Sequence, residues 1–155
     1  MDNLKIINAL QELIIRLQDA EQGYKEIELA TSNQSLKKWL STYAQERHNM
    51  HRALESHVNL LGGNAEVSTS FLGDLHRMFI DIKINNVNVE DEFDAIVTEI
   101  DRGASVLIDD YTKVIENIKL PETIRKMLIS QKALIVAELD QLKYLKSEFN
   151  TVEIS

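Results

Sequence analysis

No cysteine occurs in the 155 residues, which removes disulfides, thiolate nucleophiles and cysteine-ligated zinc from consideration. Glycine and proline are scarce, at five and one, so few positions force a helix to stop. Gly62-Gly63 and Gly73 form no phosphate-binding loop, no zinc-protease motif occurs, and no serine lies in a nucleophile elbow. No segment approaches the ~18 uninterrupted apolar residues of a membrane helix. The opening "MDNLKIINAL" has an acid at position two and no long apolar block, so no signal peptide is expected and a cytoplasmic location is. Positive charge is also short. Twenty-five acids face 17 Lys plus Arg, giving a net charge of −8, and the basic residues are scattered. A phosphate backbone would be repelled, and no nucleic-acid partner is expected.

What remains is a chain rich in Leu, Ile, Glu, Lys, Gln and Ala with helical periodicity. From about Leu4 to Thr31, Ile6, Leu10, Leu13, Leu17, Ala20, Tyr24 and Ile27 alternate at three and four, drawing one apolar stripe. "TSNQS" offers a turn and a cap. A second stripe, Leu36, Leu40, Tyr43, Met50, Leu54, Val58 and Leu61, ends at Gly62-Gly63, a natural C-terminus. A short helix is predicted from about Ser70 to Ile84, followed by a break at "NNVN" and a cap at Asn88. A third stripe runs from Phe93 to Ile118. Pro121 then opens a fourth helix, with a stripe through Ile124, Leu128, Gln131, Ile135, Glu138, Leu142, Leu145 and Phe149.

Four helices with one stripe each bury those stripes only against one another. The connections near 32–33 and 119–120 are too short for anything but antiparallel hairpins, whereas the segment between the second and third helices can climb the whole bundle. Residues 1–155 are therefore expected to form a single all-α domain, a ferritin-like four-helix bundle with a short extra helix in the long crossover.

Several polar residues fall where the stripes should be apolar. Arg47 continues the second stripe, and Gln131 and Glu138 sit in the fourth, one heptad apart. Glu21 lies on the shoulder of the first, and ferritin-like connectivity sets it near the level of Glu46, Arg47, Asp101 and Glu138. A buried unpaired charge costs several kcal/mol, so these groups should pair or share a cation. The favoured reading is a buried polar layer of Glu21, Arg47, Gln131 and Glu138, with the guanidinium as its cation and no cofactor. The alternative is a carboxylate-bridged iron or manganese pair on Glu21, Glu46, Glu138 and a third-helix acid, Glu99 or Asp101, with oxidase or storage activity. Di-metal bundles place Glu-x-x-His on two helices, whereas the tetrads here read Glu46-Arg-His-Asn49 and Glu138-Leu-Asp-Gln141.

Three of the four histidines lie in "ERHNMHRALESH". On a helical projection His51, Glu55 and His57 fall on the shoulders of the stripe while His48 and Asn49 look outward, so the three rings are not expected to converge. The pairs His48–His51 and His51–Glu55 nonetheless have ligand spacing for a surface zinc ion. His76 and Arg77, in the crossover segment "LHRMFIDIK", mark either a pocket under the crossover or an amphipathic edge. Trp39 is read as core edge or dimer contact.

The chain resembles a bacterial ferritin-like four-helix-bundle family of unknown function. The resemblance spans nearly the whole chain through "DAEQGY", "ERHNMHRALESHVNLLGG", "LHRMFIDIK", "DRGASVLIDDY" and "PETIRKMLISQ". It implies the fold and a loose link to bacterial stress-associated bundles. Ala104 and Ser105 stand where that family tends to carry two acids, and Leu139 near where a histidine is common; both changes take ligands away from an inherited metal centre. The resulting expectation is a non-enzymatic bundle acting through protein contacts, a homo-oligomer and most plausibly a dimer.

Overall fold

A computed structural model describes residues 3–65 and 89–154, which form four helices and, among the described residues, no strand. They are α1 (Asn3–Ala30), α2 (Gln34–Leu60), α3 (Val89–Asn117) and α4 (Glu122–Ile154). The predicted crossover helix, the cap at Asn88, and His76 with Arg77 lie outside the described residues.

Local chemistry sets the hairpin ends. Asn33 caps α2 by accepting a hydrogen bond from the Leu36 amide at 2.9 Å. At the far end of α2, the Gly63 amide reaches back to the Val58 carbonyl at 2.9 Å and the Gly62 amide to Asn59 at 3.1 Å. This is the two-bond C-terminal closure that requires a left-handed residue, and Gly62 supplies it with φ +92°. A Cβ on Gly63 would stand 3.0 Å from both Ile7 and Val58, so the glycine also lets the chain press against α1. At the second hairpin Pro121 precedes α4, and its carbonyl accepts from the Arg125 amide at 2.9 Å. The Arg125 side chain in turn donates to the Ile115 carbonyl at 2.9 Å, covering the end of α3.

Each helix turns its stripe inward. Leu10, Ile14, Leu17, Leu36, Leu40, Leu54, Val58, Leu128, Ile135 and Leu142 are completely buried, and each such side chain stabilises the fold by roughly 1.5–3 kcal/mol. The helices of each hairpin pack together, α1 on α2 and α3 on α4; across the bundle α1 meets α3 and α2 meets α4. That arrangement is the ferritin-like four-helix bundle. Because α1 touches two neighbours, its buried arc widens to take in Asp19 and Gly23 beyond the apolar stripe.

Candidate metal site on the α1–α2 shoulder

At the centre of the bundle Arg47, with 1% of its surface exposed, forms an ion pair with Glu138, itself 5% exposed. The guanidinium carbon also lies 5.6 Å from the centre of the Tyr24 ring, within cation–π range. Burial pushes the Glu138 carboxyl above its ordinary value, an effect the neighbouring Arg47 only partly offsets. Next to this pair, the Tyr111 hydroxyl donates to Gln131 Oε1 at 2.6 Å, and Gln131 Nε2 donates to the Met50 carbonyl at 3.3 Å. Arg47, Glu138 and Gln131 are all buried, Arg47 and Glu138 as an ion pair and Gln131 on Tyr111 and Met50.

Glu21 does not join them, which corrects the expected layer. The acids of the di-metal alternative do not converge either. Glu99 pairs with Arg102, and Asp101 lies 3.9 Å from Lys143. Glu46 is half-buried. The reason is geometric: α1 and α3 hold Glu21, Glu99 and Asp101 on flanks, and only Glu138 is turned to the axis.

Glu21 instead meets two of the histidines, a second correction. His48 and His51 stand one turn apart on α2 and so share a face. His51 Nε2 approaches Glu21 Oε1 at 2.7 Å, and His48 Nδ1 lies 3.2 Å from each Glu21 oxygen. His57 takes no part in the cluster. On the other side of its ring, His51 Nδ1 lies 3.1 Å from Glu55 Oε2. Lys25, one turn along α1, donates to Glu21 Oε2 at 2.6 Å. Burial by itself would push the Glu21 carboxyl up; hydrogen bonds from Lys25, His51 and His48 outweigh it and hold the group below its ordinary value. The His51 and Glu21 side chains are largely buried, while 44% of the His48 side chain is exposed, so the cluster opens to solvent on one side.

Among the described residues this is the group of three His, Asp or Glu side chains whose donor atoms lie within 4.8 Å of one another. Ligands ~2 Å from a common ion are themselves ~3–3.5 Å apart, close to the spacing already present. Two imidazole nitrogens and one carboxylate oxygen suit zinc, iron or another transition ion and fit calcium or magnesium poorly. Glu55 adds the orienting carboxylate that metal-bound imidazoles commonly hydrogen-bond through their second nitrogen. The sequence signal for this site was the His48–His51–Glu55 spacing. What it lacked was the third ligand, which comes from another helix.

On the opposite side of α1, Asp19 is 9% exposed, and burial pushes its carboxyl up to about 6 against the opposing charge of Arg16.

Residues 5–117 match the family described as a domain of unknown function, DUF2383. The chain belongs to that family. Its fold is shared with a mutant of Mycobacterium smegmatis Dps1, at a TM-score of 0.73 over 93% of this chain and 96% of that one. Sequence identity there is 12%, so the likeness of this DUF2383 member to Dps1 is one of fold. No protein in the curated collection matches the chain. None of the described helices is long and apolar enough to cross a membrane.

Proposed function

We propose that this DUF2383 bundle binds one divalent transition-metal ion on Glu21, His48 and His51, between α1 and α2, and serves to hold that ion rather than to run a di-metal oxidase in the core. The carrying observation is the meeting of one carboxylate and two imidazoles from two helices, with Glu55 behind His51. Glu21 Oε1 would face the ion while Lys25 keeps Oε2, favouring single-oxygen coordination. A bound ion supplies positive charge where the α1–α2 hairpin now sets a carboxylate against two rings, and it ties the two helices together. Among the described residues the core offers no comparable site, since Glu138 is paired with Arg47 and Gln131 with Tyr111.

Calorimetric titration of chelator-free protein with zinc and with ferrous ion tests this directly. One ion per chain is expected. His51→Ala and Glu21→Ala should each weaken binding by at least ~100-fold, and Glu55→Gln by ~10–100-fold. Glu138→Gln should leave the stoichiometry unchanged. Two ions per chain lost together in Glu138→Gln would restore the di-metal alternative, and no binding above background would end the proposal.

The expected action through protein contacts has its own support on α4. Its buried side carries Ile124, Leu128, Ile135 and Leu142, while at ~100° per residue Ile129, Ala133, Val136 and Tyr144 fall on the opposite side. Ile129 is 45% exposed and Tyr144 62%. Asp140 and Lys126 share that outer side, a mixed face of large apolar and charged side chains such as partner contacts carry. We read this second face as the contact of a homo-oligomer, most simply an antiparallel α4–α4 dimer. Wild-type protein should elute at twice the chain mass in size exclusion with light scattering, and Val136→Glu should yield monomer at equal concentration. A monomeric wild type at micromolar concentration would refute the dimer.

A further inference from the structure

Between α1 and α3 lies a second feature, separate from the histidine cluster: a cavity of about 270 Å³. That is just below the ~300–1,000 Å³ typical of ligand pockets. Its walls are mostly apolar, with Ala20, Ile100 and Leu107 and the ring of Tyr24 contributing. Asp19 forms part of the same wall, and its Oδ1 is fully buried with no hydrogen-bond partner. A buried carboxylate oxygen left without a donor is costly and calls for a charged donor more than a neutral one. Of the two cations lining the cavity, Arg102 pairs with Glu99, while Arg16 pairs with Asp110 and gives Asp19 an opposing charge but no hydrogen bond. Across from Asp19 the α3 wall is pared back at Gly103, where an added Cβ would meet nothing within 4 Å.

We propose that this cavity binds a small organic cation, a primary ammonium on a compact apolar body, with the ammonium paired to the Asp19 carboxylate on its cavity side and the body lying against the α1–α3 wall. The carboxylate selects the charge and the walls select an apolar remainder. A ligand of roughly ten heavy atoms matches the volume, because a larger one would have to leave much of its surface in water. An anion of the same shape would meet Asp19 with like charge, and an alcohol would bring no positive charge to it.

The test uses the full chain and three probes of one shape: benzylamine, benzyl alcohol and benzoate. Binding is followed by ligand-observed NMR and by shifts of the amides around Asp19 and Gly103. Benzylamine should bind at least tenfold more tightly than the other two. Asp19→Asn, nearly the same size, should remove that preference. Gly103→Leu should abolish binding by filling the cavity, and it replaces a poor helix former with a good one, so the helix itself is not at risk. Both variants should keep the wild-type circular dichroism spectrum. Equal binding of the three probes, no binding of benzylamine, or unchanged selectivity in Asp19→Asn would overturn the proposal, because water would then suffice for the carboxylate.

Discussion

Replacing Arg47 with alanine should destabilise the protein by on the order of 3 kcal/mol or more, a fall in melting temperature of many degrees. The cause is what the replacement leaves behind. Glu138 is 5% exposed and would keep its carboxylate in a low-dielectric interior without a counter-ion. The loss of the stacked contact with Tyr24 adds a smaller cost. The pair itself contributes far less than its removal costs, because both ions gave up hydration to form it. Arg47 Nε finds no hydrogen-bond partner, which lowers the net worth of the pair further. The double replacement Arg47→Met with Glu138→Leu should therefore recover most of the loss. Urea denaturation of the wild type, Arg47→Met, Glu138→Leu and the double variant closes the cycle. An unchanged stability for Arg47→Ala would mean that Glu138 takes up a proton or reaches water at almost no cost. The double variant should also keep the metal stoichiometry of the wild type, since Glu21, His48 and His51 lie on another face.

Most of the fold was legible because helical periodicity is a local property. Leu10, Leu13 and Leu17 announce the buried side of α1 whatever α1 packs against, and Gly62 announces the end of α2 because its backbone conformation suits few other residues. Arg47, Gln131 and Glu138 stood out as polar residues interrupting apolar stripes. The shoulder site was not legible in the same way. Projecting α2 alone sends His48 outward, and its ring is indeed 44% exposed, yet the ring leans over the groove where α1 supplies Glu21. Which α1 residue fills that groove depends on the register between the helices. Residues counted to one level can still face different sides of a helix, and so Glu21 was set in the core layer. Asp19 carries no such signal for a related reason: it lies off the main stripe of α1 and faces the second neighbour, α3, whose position no single-helix projection contains.

Tyr111 makes the sharpest test of whether the middle of the bundle is closed to ligands. It is completely buried, and its hydroxyl is the donor that Gln131 Oε1 accepts. Deleting the ring in Tyr111→Ala should cost on the order of 3–5 kcal/mol through lost contacts and the cavity left behind. Tyr111→Phe keeps the ring, and its expected cost of about 1–2 kcal/mol comes from leaving the Gln131 oxygen without a donor. Pairing Tyr111→Phe with Gln131→Leu should then be cheaper than the sum of the two single changes, because no polar atom of that pair is stranded. Such a result would mean that the two groups satisfy each other, so that an ion entering there would have to displace their hydrogen bond. Single changes that simply add would point to Gln131 Oε1 having another donor in solution. Tyr111→Phe would then be the variant in which to look for metal entering the core.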